Sequence, residues 1–260
     1  MQKARNRPPK RIFYPKGSWF PLPNEVFEDV LPHLRKKRSR QLYIALYERV
    51  QRHPSKPIFT ANLNDLAKII DCDARTARKC IVELGRKGFV EIVDKGGKLR
   101  SRTKKPKLMV PLANKSLESG SWFPVPRFFV THYLPKYPGT LVLIALLWHQ
   151  HMKWKSYSWP GVNRLVEVLG MTRRSVYAYL HSMGHETQWK RLETGLPWPL
   201  EISYSPNRQR RRFSVRAAQF YTPAGRKKPV VRLREEFAIH FGYARRKPIS
   251  TDSKTVHSGR

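Results

Sequence analysis

The chain has 260 residues, a length that suits two small domains with a core each. Lys and Arg number 52 against 18 Asp and Glu, so the formal net charge is +34 and the pI about 10.8. A chain this charged repels itself when alone, which points to a polyanionic partner: DNA or RNA first, an acidic membrane surface second, with no stretch supplying the ~20 apolar residues needed to span a bilayer.

Residues 1–16 combine many positive charges with three prolines. They read as a flexible basic arm, either a phosphate or minor-groove contact or a solubilising tail. They lack the apolar core of a secretory signal, so a cytoplasmic, nucleoid-associated location is expected. Next comes Gly-Ser-Trp-Phe-Pro-Leu-Pro at 17–23, which returns as Gly-Ser-Trp-Phe-Pro-Val-Pro at 120–126. Six of the seven positions are identical at an offset of 103 residues, from 17 to 120. That offset is the size of a small domain, and the chain reads as two tandem copies of one module, each opened by the same strap. Trp19, Phe20, Trp122 and Phe123 could stack on bases, but their proline-rich setting favours docking into the core.

After the first strap, Asn24 is the expected N-cap of a helical turn carrying Val26, Phe27, Val30 and Leu31, stopped by Pro32. Ser39 is expected to open a helix over 40–51, with Leu42, Ala45, Leu46, Arg49 and Val50 at helical spacing, ended by Pro54 and Pro57. A short helix follows over 63–70, with Leu63, Leu66, Ala67 and Ile70 on one face. The turn at 71–73 leads into a second helix over 74–84, capped by Asp73. Its inner face carries Ala77, Cys80 or Ile81, and Leu84, its outer face Arg75, Arg78 and Lys79, and Gly85 and Gly88 end it. A strand is predicted over 89–93, a hairpin turn at 94–97, and a basic return over 98–110. Two short helices on a tight turn, followed by a basic hairpin over 95–107, make a winged helix-turn-helix.

The second copy begins with 128–134 and an apolar helix over 140–148 that matches the helix over 40–50. Pro160 and Gly161 break the chain before a helix over 162–169, a turn at 170–172 with Thr172 as cap, and a helix over 173–183. Leu165 here matches Leu66, Leu169 matches Ile70, Arg174 matches Arg75, Ser175 matches Thr76 and Met183 matches Leu84, at an offset of 99. An insert over 185–199 holds Trp189 and Trp198. The second wing is predicted as a strand over 200–204, a turn at 205–208 and a basic return over 210–216. A terminal helix is expected over 232–243, and 245–260 is expected to fray. The fold class is therefore mainly α with small β-hairpins, an α+β chain of two tandem winged helix-turn-helix domains. The expected division is arm 1–16, first domain 17–112, linker 113–119, second domain 120–224 and a basic tail over 225–260.

Nothing in this pattern builds an active site. His149 and His151 lie two apart on a helix and diverge, so they are no metal pair, and Gln150 between them argues against a two-His relaxase. The few acidic residues are scattered, which leaves a two-metal nuclease unsupported, and no phosphate-cradling glycine loop is present. Cys72 and Cys80 have neither metal nor disulfide spacing and suit a reducing compartment. No catalytic residue, metal ligand or cofactor is expected, and the chain reads as a non-enzyme.

The candidate contacts to double-stranded DNA follow from the module. In the first copy they are Arg75, Thr76, Arg78 and Lys79 on the second helix, with Lys95, Lys98, Arg100, Arg102, Lys104 and Lys105 in the wing. In the second they are Arg173, Arg174, Ser175 and Tyr177 on the helix, with Arg208, Arg210, Arg211 and Arg212 in the wing. A helix enters the major groove with its first residues at base edges, where Arg pairs bidentately with guanine, while wing cations meet phosphates. Two such helices on one face of a duplex sit about 34 Å apart, so one chain would span about two turns and read an asymmetric site.

This layout, with Arg75, Arg78, Arg174 and the wings over 95–107 and 208–216, resembles the tandem winged-helix replication initiators of plasmids and phages over roughly residues 17–223. The resemblance implies binding to origin repeats without enzymatic activity, recruitment of host replication proteins, and a capacity for self-association. A winged-helix transcriptional regulator is the alternative, and an accessory DNA-binding protein of a recombinase or mobile element the second alternative.

Overall fold

The computed structural model describes residues 18–53, 56, 58–93, 105–114, 122–152, 160–204, 211–221 and 230–243. The fold is mixed α+β, helices predominating, with small antiparallel sheets. Among the described residues no helix is long and apolar enough to cross a membrane. The arm 1–16, the first hairpin turn at 94–97, most of the linker, Pro54, Pro57 and the segment 245–260 lie outside the described residues.

The two straps pair with each other. Strand β1 (Trp19–Pro23) lies antiparallel to β5 (Trp122–Pro126), and Pro21 faces Pro124, its own counterpart in the repeat. The ladder is therefore centred on a pseudo-twofold axis that relates the modules. Proline lacks the N–H a ladder needs, and the register explains its tolerance here. The Arg127 amide donates to the Ser18 carbonyl at 2.9 Å. Antiparallel alternation then places Phe20 with Val125, and Leu22 with Phe123, at bonded pairs. Pro21, Pro23, Pro124 and Pro126 all fall at positions whose N–H would point away from the partner strand, so they cost no ladder bond and close both outer edges to further pairing. Phe20, Leu22, Phe123 and Val125 are fully buried. On the opposite face the half-buried rings of Trp19 and Trp122 stack on each other, 5.8 Å apart and 7° from parallel. Core docking thus holds for both phenylalanines, while the tryptophans cover the axis.

The turn after β1 is a π-helical turn, Val26–Val30, followed by a 3-10 turn, Leu31–His33, where a plain helix was expected. Pro32 sits within the 3-10 turn, and Asn24 caps nothing with its side chain. Helix α1 (Lys37–Val50) starts ahead of Ser39, whose hydroxyl instead donates to Glu83 at 2.7 Å. Every residue from Leu42 to Tyr47 is buried, so α1 is the central post of the module. Strand β2 (Ile58–Thr60), which periodicity did not reveal, precedes α2 (Leu63–Ile69) and α3 (Ala74–Arg86). Then come β3 (Glu91–Ile92), shorter than the strand expected over 89–93, and β4 (Lys107–Met109). These strands form one antiparallel sheet in the order β2-β4-β3. A 3-10 turn, Pro111–Asn114, occupies the start of the expected linker.

The second module repeats this course. A π-helical turn (Phe129–Tyr133), α4 (Leu134–Lys136) and α5 (Thr140–Met152) recur at the strap's own offset. Helices α6 (Val162–Leu169) and α7 (Arg173–Gly184) start 99 residues after α2 and α3. A short helix α8 (Glu186–Arg191) fills the insert, and β6 (Leu200–Tyr204) pairs with β7 (Arg211–Val215). A further hairpin, β8 (Ala218–Tyr221) with β9 (Val230–Leu233), and α9 (Glu235–His240) complete the chain's described part. Arg232 and Leu233, expected in a terminal helix, instead pair with Gln219 and Ala218, and the helix is confined to six residues. The expected boundary at 224 falls between the strands of this hairpin. Phe237 is fully buried and Phe241 stacks on Phe128 at 4.3 Å, so the segment closes over the turn after the second strap.

The modules interlock across the axis. Helix α6 packs on the 26–33 turns of the first module, and α2 packs on α4 of the second. Asn24 accepts a hydrogen bond from the Trp148 indole at 3.0 Å, and Phe27 stacks on that indole at 5.2 Å. Arg127 holds the equivalent place in the second module and reaches back to α1, pairing with the Glu48 carboxylate and donating to the Gln51 carbonyl at 3.2 Å. The guanidinium of Arg40 is buried beneath α1, where it donates to the carbonyls of Leu31, Leu34 and Arg35 and, across the axis, to that of Gly170.

Candidate nucleic-acid interface

Helix α3 begins as its sequence dictates. Asp73 accepts from the Thr76 amide at 2.7 Å and from the Thr76 hydroxyl at 3.0 Å. These bonds favour the ionised cap and hold its pKa below the usual carboxylate value, the amide bond contributing most. Ala77, Cys80, Ile81 and Leu84 are all fully buried, so both Cys80 and Ile81 belong to the inner face. Burial raises the pKa of the Cys80 thiol, as expected of an inert core cysteine. Arg75 and Lys79 are exposed, and Thr76 and Arg78 are half-buried on the same outward surface. Glu83, one turn before the end of α3, accepts from the Arg35 amide at 3.0 Å and from Ser39, and so pins the helix to the start of α1. Gly88, at φ +74°, lets the chain leave the helix toward β3.

Helix α7 is built to the same plan with different outward chemistry. The Thr172 hydroxyl caps it by accepting from the Ser175 amide at 3.2 Å. Val176, Leu180 and Met183 face inward. Arg173 and Arg174 are exposed, Ser175 is half-buried, and Tyr177 is exposed with the Arg173 guanidinium over its ring at 5.6 Å. The insert braces the far end of α7: the Trp198 indole donates to the Met183 carbonyl at 2.6 Å, and the Trp189 indole to Leu196 at 2.8 Å. Arg216, expected as the end of the wing, lies over the Trp198 ring at 4.5 Å and pairs with Glu236 at 2.9 Å. It serves the fold.

Of the residues expected in the wings, Lys105 and Arg211 are exposed and Arg212 is half-buried at the start of β7. Lys95, Lys98, Arg100, Arg102, Lys104, Arg208 and Arg210 lie outside the described residues. His149 and His151 both stand on α5, and His151 packs by the strap, 6.2 Å from the Phe123 ring. Burial pushes its pKa down to about 4, against which a hydrogen bond to the Trp122 backbone works. Among the described residues no group of three or more His, Cys, Asp or Glu converges.

Sequence reasoning passed over four consecutive exposed cations, Arg35, Lys36, Lys37 and Arg38, at the start of α1. Their signal was the run Arg-Lys-Lys-Arg itself, hidden by the expectation that Ser39 opened the helix. It also missed the residues that join the modules, Asn24, Arg40 and Arg127, because each acts over more than seventy positions of sequence. No family model matches the chain, and no curated protein matches it in sequence.

Proposed function

We propose that the chain is a sequence-specific double-stranded DNA-binding protein made of two winged-helix modules, and that it acts as a non-enzymatic replication initiator of the plasmid or phage kind. The observation that carries this reading is the pair of capped helices α3 and α7, each the second of a helix pair, each with cationic outward side chains in its first turns, and each followed by an antiparallel hairpin. The sheet order β2-β4-β3 in the first module supports the winged-helix assignment, since the hairpin after the second helix folds back beside the strand before the first.

The pseudo-twofold strap sharpens the expected site. The antiparallel straps support a reading in which α3 and α7 meet a duplex in opposite senses, as in a dimer whose operator is a palindrome. The readers differ, Arg75, Arg78 and Lys79 against Arg174, Tyr177 and Ala178, so the two half-sites differ in sequence while being inverted in orientation. Origin binding and recruitment of host replication proteins complete the reading. The test is a salt titration of binding to duplex DNA. If on the order of eight phosphates are neutralised, affinity falls roughly a thousandfold or more between 50 and 200 mM salt. A flat response removes nucleic acid as the ligand.

A further inference from the structure

The two modules are an internal control for each other. A surface feature that the fold itself needs recurs in both copies, and one that serves a ligand need not. The outward surfaces around α3 and α7 differ sharply by this measure. Beside α3 runs a groove of about 540 Å³ whose lining includes the cations Arg35, Lys36, Arg78, Lys79, Arg86 and Lys87 together with Val82 and Glu83. In the first turn of α1, Arg38 is exposed as well, and the Lys37 ammonium lies over the Tyr179 ring of α7 at 5.6 Å. The strap offset carries residues 35–38 onto Pro138, Gly139, Thr140 and Leu141. The helix offset carries 78, 79, 86 and 87 onto Tyr177, Ala178, His185 and Glu186. None of the eight cations of the first module has a Lys or Arg at its counterpart, and one counterpart is acidic.

Arg86 and Lys87 suit the C-terminal end of α3, but local electrostatics do not favour gathering cations at the start of α1. Cations in the first turn of a helix oppose its macrodipole, and α1 has no acidic residue there to relieve them. Like charges held on one groove repel. The one carboxylate in the groove is already bonded to the Arg35 amide and the Ser39 hydroxyl, and Lys36 is 4.0 Å from it. Module two caps the same corner without charge, through the hydroxyls of Tyr137 and Ser182.

We infer that Arg35, Lys36, Arg86 and Lys87 of the α1–α3 groove make a phosphodiester-backbone track, a set of cations that grips a DNA strand without reading its bases, and that the second module has no counterpart to it. The inference rests on the DNA-binding reading and divides its labour: Arg35, Lys36, Arg86 and Lys87 hold the backbone, and the outward residues at the start of α3 remain for base edges. A linear run of cations along a groove, rather than a closed pocket, suits a chain of phosphates spaced along a strand.

The test uses the full-length chain and a fluorescent 40-base-pair duplex of mixed sequence, titrated between 50 and 300 mM KCl. The track variant is R35Q/K36Q/R86Q/K87Q; the control, K68Q/R164Q/K190Q/R191Q, removes the same charge from exposed positions elsewhere, and thermal unfolding confirms that both fold. The track variant is expected to flatten the log–log salt slope by about 3.6 units, about 0.9 for each of its lost phosphate contacts, and the control by less than about one. If wild type binds with a steep slope and both variants flatten it equally, net charge alone explains the groove and the inference is overturned. A steep wild-type slope that the track variant leaves unchanged also overturns it, and assigns the groove to an acidic protein partner. If wild type itself shows no salt-dependent binding, the DNA-binding reading fails first. Should the track variant misfold, the pair R86Q/K87Q, at the end of α3, gives the same readout with about half the change.

Discussion

The interlock of the two modules can be broken at one point, where Arg40 meets Gly170. Arg40 is 5% exposed, and its guanidinium serves the carbonyls of Leu31, Leu34, Arg35 and Gly170. The Leu31 carbonyl also accepts from the Leu34 amide at 3.2 Å, so it retains a partner if Arg40 is removed. The carbonyls of Leu34 and Gly170 are the ones left poorer. At about 1–3 kcal/mol for each buried group deprived of its bond, and with methionine recovering part of the packing, R40M should cost about 3 kcal/mol. Gly170 stands at φ +57°, and a Cβ there would meet the Arg40 guanidinium at 2.9 Å, the Pro32 carbonyl at 3.2 Å and the Leu31 carbonyl at 3.3 Å. The left-handed backbone costs alanine about 1 kcal/mol, and the contacts raise the total for G170A to about 2 kcal/mol. In the double variant the guanidinium contact is gone while the carbonyl contacts remain, so the combined loss should fall short of the sum by about 1 kcal/mol. Urea unfolding followed by tryptophan fluorescence measures all three. A G170A chain as stable as wild type, or single losses that add within about 0.3 kcal/mol, would refute the contact across the axis.

His151 has a folded pKa of about 4 against 6.5 for the free group, because burial disfavours the imidazolium. Between those values the unfolded chain binds the proton and the folded chain does not, so stability should fall as pH drops from about 6.5 to about 4 and be level above. Allowing for partial exposure, the loss is roughly 1–2 kcal/mol, and H151L should flatten this part of the urea-midpoint profile. On the proposed function, K98A and R210A should weaken cognate and random duplexes alike and lower the salt slope by about one unit each. Loss of sequence preference in these variants would make the wings the readers.

Much of this architecture is legible in the sequence because it rests on local chemistry. The bounds of α6, the caps Asp73 and Thr172, and the inner face of α3 all follow from spacing and from side chains that bond within four residues. What escaped depends on contacts far along the chain. The turns at 26–33 show helical spacing, but Phe27 and Leu31 are held by packing on the other module, and the backbone widens to π and then tightens to 3-10 to suit. Strand β2 is three residues long and has no period of its own, since β4 defines it. Residues 230–233 alternate too briefly to separate strand from helix, and their partner strand decides. The strap is plain as a repeat, yet its pairing with its own copy appears only when the prolines are seen to fall on the unbonded side of the ladder. At the candidate interface the helix-borne cations were visible, whereas Arg35, Lys36, Arg86 and Lys87 become one surface only through the packing of α1 on α3.

On the proposed function, α3 and α7 each read one half of an inverted site for a single chain. Selection of bound duplexes from a random pool, followed by binding of wild type, R75A and R174A to the winning site and its single-base variants, addresses it directly. One chain per site and two boxes about ten base pairs apart are expected. R75A should lose about 1–3 kcal/mol and relax preference in one box only, R174A should do the same in the other, and neither should change binding to random DNA much. No enriched sequence, or a single box relaxed by both substitutions, would contradict it.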